Sequence, residues 1–398
     1  MASSLTGPGA ILRLIRDGDA VTRADLARET GLSRSTVAQR VDALLARGLV
    51  REVAGAASTG GRPPIVLALN RDAGVVLAAD LGATHSRLAV TDLTGEPLAE
   101  VAHDMDIADG PESVLGWVHD RFLALLDESG RSVADVRGIG IGVPGPVSFS
   151  TGQAVNPPIM PGWDGVSVPD WFGQHFDVPV LVDNDVNIMA LGEHWTHWRD
   201  TENLLFVKVG TGIGCGIVAG YEIHRGAQGA AGDIGHIRVS GHEDTICRCG
   251  NTGCLEAVAG GRALARRLTE AGAVAAGSRD VVEQVRAGDT RAVRMVREAG
   301  RSLGEVLAAC VNFFNPAVIV IGGDLGHVHE QLLAGIREVT FQRSLPLATQ
   351  HLRTVQARLG DRAGIMGAAI MAIEHVLAPE AIDRELQAGS PPAAGVAA

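Results

Sequence analysis

The chain has 398 residues, 46% of them hydrophobic and 20% charged, with 46 acidic side chains against 34 basic ones and a formal net charge of −12. This length exceeds one ordinary core, and the composition excludes a disordered chain. No run of about 18 apolar residues is free of glycine and charge, and MASSLTGPGAILRLIRDGD lacks a basic n-region and a cleavage site; neither a membrane span nor a signal peptide is expected, and the expected location is the cytoplasm.

Residues 1–72 hold ten Arg and seven Asp or Glu, a net of +3, which leaves −15 on the remainder. A basic head on an acidic body suggests that the head alone meets a polyanion; chance variation in surface charge is the alternative that charge alone leaves open. Lys208 is the only lysine among the 34 basic residues, which with the high Ala and Gly content points to coding bias more than to function.

In the head, Ala10–Arg16 reads as a short helix ended by Gly18. Thr22 caps a second helix, Arg23–Glu29, and Ser33 caps a third, Arg34–Arg47, with Val37, Val41, Leu44 and Leu45 on one buried face. Thr30-Gly31-Leu32-Ser33 gives helix-turn-helix spacing. Leu49–Val53 and Ile65–Leu69 read as strands around a Gly/Pro-rich wing tip. The third helix would enter a major groove, with Arg34, Ser35, Thr36, Gln39 and Arg40 near bases and phosphates and Arg62 of the wing in a minor groove. The segment resembles the MarR-like winged helix at the head of sugar-responsive repressors.

Beyond it, Val75–Asp80, a Leu81-Gly82-Ala83-Thr84 turn and Arg87–Asp92 form a strand hairpin. Leu204–Val209, Gly210-Thr211-Gly212 and Ile213–Ala219 repeat the idea, which predicts an internally duplicated α/β fold. Backbone N–H groups in such turns can cradle phosphate. With Ala317–Ile321 running into Gly322-Gly323-Asp324, the pattern resembles the actin-like/hexokinase (ribonuclease H-like) ATPase fold. Between the hairpins, Val180–Val182 runs into Asp183-Asn184-Asp185-Val186-Asn187 before a helix predicted over Ile188–Trp198. Four polar side chains at the end of a strand predict a ligand crevice; N-capping by Asp183 or Asp185 explains only one of them.

Cys247, Cys249 and Cys254 are three of five Cys, an odd number that argues against a disulfide framework. With one imidazole they make a closed tetrahedral zinc site, structural because no position stays open for water. His236 is the favoured fourth ligand, and His242 is nearer in sequence.

Gly226-Ala-Gln-Gly-Ala-Ala-Gly-Asp-Ile-Gly-His236, followed by Cys247-Arg-Cys-Gly-Asn-Thr-Gly-Cys-Leu-Glu256, resembles the ROK family of repressors, open reading frames and sugar kinases, over about Val75 to Leu377. The winged head matches its repressor branch. The resemblance implies Asp185 as catalytic base if kinase chemistry survives. It implies Asn184, Asp185, Asp233, His236 and Glu256 as sugar ligands, and His236, Cys247, Cys249 and Cys254 as zinc ligands. Asp80, Gly82, Thr84, Thr211, Gly212, Gly322 and Gly323 would face ATP and Mg²⁺. Three positions depart from the kinase pattern. Ala83 replaces a glycine, at a cost of about 1 kcal/mol if φ there is positive. His85 replaces a lysine, and Asp233 replaces a longer Glu.

The expected organisation is a winged helix-turn-helix at 1–72, a two-lobed domain at 73–387 and a disordered tail at 388–398. The small lobe would span about 73–183 plus 362–380 and the large lobe about 184–361. The expected function is sugar-responsive regulation of transcription, with operator DNA, a sugar effector and a homodimer or homotetramer as partners. An ATP-dependent hexose kinase with an accessory DNA head is the alternative. A zinc-stabilised adaptor is a third reading, with no use for the polar cluster at 183–187.

Overall fold

The computed structural model describes residues 6–54 and 65–388. It begins with helices α1 (Pro8–Asp17), α2 (Arg23–Thr30) and α3 (Arg34–Ala46) and the antiparallel pair β1 (Val50–Ala54) and β2 (Ile65–Leu69). Thr22 Oγ1 accepts from the Asp25 N–H and Ser33 Oγ from the Thr36 N–H, each satisfying a donor left free by the first helical turn. Val37, Val41 and Leu44 are fully buried, whereas Leu45 is only half-buried. Arg23 braces the unit by bonding both Glu52 (2.7 Å) and Asp42 (2.8 Å). The wing tip with Arg62, and the expected tail apart from Ala388, lie outside the described residues.

The next segment comprises β3 (Val75–Leu81), β4 (Ser86–Asp92), β5 (Pro97–His103), α4 (Pro111–Glu128) and β6 (Val136–Val143). A small hairpin of β7 (Val147–Ser148) and β8 (Gln153–Ala154), the short α5 (Val168–Phe172), β9 (Val180–Asn184) and α6 (Asp185–His197) follow. The second half runs β10 (Asn203–Val209), β11 (Ile213–Ala219), β12 (Glu222–Ile223), α7 (Leu255–Ala259), α8 (Gly261–Glu270), α9 (Ser278–Arg286), α10 (Thr290–Phe314) and β13 (Val318–Gly322). It ends with α11 (His329–Arg343), α12 (Pro346–Thr349), β14 (Arg353–Gln356), α13 (Ala363–Val376) and α14 (Pro379–Gln387).

Two five-stranded sheets share one topology, β5-β4-β3-β6-β9 and β12-β11-β10-β13-β14. In each, three strands form an antiparallel meander and the next two add in parallel. The duplication read from two turns therefore extends to whole sheets. Alternation along the strands divides the cores, because successive side chains point to opposite faces. Val75, Leu77 and Ala79 pack with α4, while Val76 and Ala78 pack with α13. In β10, Leu205, Val207 and Val209 pack toward α8–α11, while Leu204 and Phe206 pack toward α6.

The two mixed sheets are joined through helices α6 and α13, which contact each other between them. A methyl group on Gly367 of α13 would come within 1.6 Å of the Ile188 carbonyl oxygen of α6, so the backbones touch there. Ile188 joins the α13 side of the core, and Val186, Met189 and Ala190 join the β10–β11 side. Burial around α13 accounts for its apolar sequence: no single helix among the described residues is long and apolar enough to cross a membrane.

The head does not hang from a free linker. Ile11, Leu12, Leu26, Val41 and Leu44 belong to the same continuous core as Ala368, Ile370, Leu377 and Ile382 of α13 and α14. Gly9 N–H donates to Asp383 (2.8 Å), and Arg16 pairs with Glu374 at 2.9 Å. At the far end of α6, Arg199 stacks on Trp195 and pairs with Asp17 of the head at 3.3 Å.

Gly367→Ala tests the α6–α13 contact. Its methyl forces the two backbones apart, and overpacking of this kind costs about 1–3 kcal/mol. The urea midpoint should fall accordingly, and an unchanged midpoint would show that the helices are free to separate.

Candidate functional site

The C-terminal ends of the central strands of both sheets open onto one cleft of about 1300 Å³, larger than the ~300–1,000 Å³ of most small-ligand pockets. Asp80, Gly82 and Thr84 line it from the first sheet, and Thr211, Gly212, Gly322 and Gly323 from the second. Asn184, Asp185, Asp233, His236 and Glu256 line the same space. Residues read separately along nearly 250 positions of sequence thus share one cavity.

The first turn is unstrained. Gly82 N–H donates to the His85 carbonyl (2.8 Å), and a methyl on Gly82 would meet that oxygen at 2.7 Å. Ala83 is not among the residues with positive φ, so the cost expected from its missing glycine does not arise. In the second turn, the Gly210 and Thr211 carbonyls accept from Gly261 and Arg262 at the start of α8, which fixes the loop to that helix.

The polar cluster at 183–187 divides differently from its sequence reading. The helix begins at Asp185, three residues before the predicted Ile188, and Asn184 is the cap: its Oδ1 accepts from the Val186 N–H at 2.9 Å. Asp183 and Asn187 are buried and bond each other at 2.8 Å, and Arg225 donates to the second Asp183 oxygen at 2.7 Å. These bonds hold the strand-to-helix corner; Asp183 does not line the cleft, whereas Asn187 does. Asn184 faces the cleft, and its Nδ2 also donates to the Gly145 carbonyl (3.1 Å).

Asp185 is paired with Lys208, whose Nζ lies 2.5 Å from its Oδ2. The chain's only lysine therefore sits on the residue read as catalytic base. Burial works against the ammonium, but the Asp185, Asp80 and Asp324 carboxylates hold its pKa above the ordinary value. Burial pushes the Asp80 carboxyl up to about 7, with Lys208 opposing and Asp185 reinforcing the rise. Burial, with Lys208 in support, lowers the His85 pKa, so this imidazole is neutral at pH 7. Lys208 of β10 places its ammonium on these carboxylates.

The thiol cluster is built by a tight hairpin in which Cys247 N–H bonds Asn251 O and Gly253 N–H bonds Thr245 O, both at 2.8 Å. The ligand atoms of His236, Cys247, Cys249 and Cys254 lie within 4.8 Å of one another, and His242 is not in the group. Cys247 Sγ is 3.6 Å from His236 Nδ1, and Cys249 Sγ is 3.7 Å from Cys254 Sγ. Tetrahedral zinc with Zn–S of about 2.3 Å and Zn–N of about 2.0–2.1 Å has edges of about 3.8 and 3.6 Å. The donor set fits the ion. His236 turns Nδ1 to the sulfurs, leaving Nε2 toward Asp233 Oδ1 at 3.9 Å. Two residues beyond Cys254, Glu256 on α7 accepts from the Ile213 N–H at 3.1 Å, which ties the thiol loop to the second turn.

Sequence reading missed three contributors. Lys208 carried no motif. Asn156 lines the cleft with φ 42°, a conformation that non-glycine residues adopt mainly at constrained sites; the Asn-Pro-Pro run at 156–158 was its available signal. Asp324 bonds the Ser278 hydroxyl and anchors the start of α9. On the head, Arg34, Ser35 and Gln39 of α3 are exposed, and Thr36 and Arg40 are half-buried. Ser33 Oγ lies 2.9 Å from Ser35 Oγ and 2.8 Å from Thr36 Oγ1, a hydroxyl cluster at the N-terminus of α3.

A family model described as "ROK family" matches residues 76–375, and one described as "Winged helix-turn-helix DNA-binding" matches residues 9–51. The xylose repressor of Caldicellulosiruptor bescii is 31% identical over 384 residues, covering 92% of this chain and 95% of that protein. The glucokinase of Halalkalibacterium halodurans is 34% identical over 308 residues, covering 72% of this chain and 92% of that protein. The crystal structure of a ROK family transcriptional regulator, described as a homolog of the E. coli MLC protein, superposes with a TM-score of 0.82 at 26% identity, covering 97% of this chain and 99% of that one.

Asp80 makes stability pH-dependent with a definite sign. Its folded pKa of about 7 exceeds the ordinary 3.8, so the folded state holds a proton that the unfolded state has lost between those values. The contribution is present below that window and is lost as pH rises through it. The melting temperature of Asp80→Asn relative to wild type should therefore rise between about pH 5 and pH 8. Equal differences at both pH values would contradict the burial of this carboxyl.

Proposed function

Because the chain belongs to the ROK family, we propose that it is a sugar-responsive transcriptional regulator of carbohydrate metabolism, acting as a repressor. The observation that carries this reading is the path of α6. Its first turn places Asn184 and Asp185 in the cleft, and its last turn meets the head through Trp195, Arg199 and Asp17. A sugar held by Asn184, Asp185, Asp233, His236 Nε2 and Glu256 would favour one angle between the sheets, and that angle is felt by the winged unit packed on α13 and α14. Effector and operator then change each other's affinity by the same factor.

The α3 residues Arg34, Ser35, Thr36, Gln39 and Arg40 would meet the major groove. The working division is the winged unit at 1–72 and the two-lobed unit at 73–387. Two heads must span half-sites about 34 Å apart, which calls for a dimer or tetramer. Exposed Phe313, Leu345 and Leu347, joined through the Asn312 side chain, support self-association on the α10–α12 face. His236, Cys247, Cys249 and Cys254 would hold Zn²⁺, which supplies loop fixation and no chemistry. The glucokinase relative and the paired turns favour a second reading, an ATP-dependent hexose kinase; the head, packed into the same core, favours the regulator.

Two measurements test the proposal. A thermal-shift panel of sugars on the full chain should yield one that raises the melting temperature, and that sugar should change affinity for a duplex selected from a random pool by about fivefold or more. Gln39→Ala should weaken duplex binding and leave the sugar shift intact. Indifference of duplex affinity to every sugar that binds would sink the reading. Separately, Cys249→Ser should lower zinc content by plasma emission from one ion per chain and abolish the sugar shift, while full zinc retention would overturn the ligand set.

A further inference from the structure

The floor of the cleft holds three carboxylates from three elements, Asp80 at the end of β3, Asp185 at the start of α6 and Asp324 after β13. In a two-sheet nucleotide fold this is where a divalent cation and the phosphate-bearing turns would meet, so the donor set can be tested against that ion. It does not fit. Lys208 lies on the same face of β10 as Leu204 and Phe206 and extends beyond the α6 core, where its Nζ reaches Asp185. The Lys208 and Asp185 side chains are only 19% and 6% exposed. An ammonium there takes the carboxylate oxygens that a divalent ion would need and opposes a dication at a distance of a few ångströms. A carboxylate already bonded to an ammonium is also a poor acceptor for a hydroxyl proton, which the in-line attack of phosphoryl transfer requires.

We propose that Lys208 is a built-in cation that occupies the carboxylate floor in place of a divalent metal ion, so that the cleft takes a sugar without Mg²⁺–ATP and Asp185 serves as a hydrogen-bond acceptor for a sugar hydroxyl. This deepens the regulator reading and rests on it for the identity of the ligand; the ion-pair claim itself stands on the cleft geometry. It assigns a function-setting role to a residue that the sequence marked only as the lone lysine. Burial keeps His85 in the first turn from adding a further positive charge, so beside Lys208 the Asp80 carboxyl meets Arg87 of β4.

The probe is Mn²⁺, titrated into the zinc-loaded full chain and followed by water proton relaxation, with the melting temperature recorded in parallel. Wild type should show no cleft-bound Mn²⁺ and no cation-dependent melting shift. Lys208→Met leaves the three carboxylates without their cation; it should bind Mn²⁺ at least tenfold more tightly than wild type and recover melting temperature as Mn²⁺ rises. Lys208→Met combined with Asp185→Asn should lose that gain, and Lys208→Arg should behave as wild type. Mn²⁺ binding by wild type that Asp185→Asn removes would overturn the proposal, as would a Lys208→Met protein indifferent to Mn²⁺. If Lys208→Met folds only with Mn²⁺ present, the proposal is supported; if it folds under no condition, the wild-type titration decides. Failure here leaves sugar-dependent duplex affinity untouched, whereas failure of the regulator reading abolishes that dependence whatever Mn²⁺ does.

Discussion

The contact on which the rest of the molecule depends is the backbone-to-backbone packing of α6 and α13 at Gly367 and Ile188. Each helix lies against a different sheet, so the pair sets the angle between the two halves of the cleft. The same α13 continues the hydrophobic core into the winged unit. Close-packed interiors switch between discrete arrangements more readily than they deform, so under the proposed function a change of sheet angle at the cleft would bear on the core that the head shares.

Two devices fix the ligand-facing side chains within this frame. The thiol hairpin carries His236 and Glu256 on either side of its ligand set, and the orientation of His236 separates its two nitrogens, one toward the sulfurs and one toward the cleft. The Asp183–Asn187–Arg225 network fixes the strand-to-helix corner, so that Asn184, Asp185 and Asn187 line the cleft in a set geometry. Buried polar groups that satisfy one another in this way specify a geometry.

Departures from a kinase look different once the sheets are assembled. Ala83 is unstrained, so the loss of a glycine there says little. The Lys208 ammonium says more, because it places a positive charge on the carboxylates themselves. Such a charge bears on which ions the floor can accept while leaving the sheets, turns and hairpin in place.

What the amino-acid order determined by itself is local. Thr22 and Ser33 cap helices, Gly/Thr turns join paired strands, and Cys247, Cys249 and Cys254 converge with an imidazole, because each depends on chemistry within a few residues or on one hairpin. The helix start at 185 was misplaced because Asn184 competed with two aspartates of equal capping propensity. Only tertiary structure decided which carboxylate meets the lone lysine, which polar residues at 183–187 are structural, and that head and body share one core. Those outcomes depend on the registry of β3, β10, α6 and α13, elements separated by up to nearly 300 residues, and no short-range rule encodes which side chains such a registry places 2.5 Å apart.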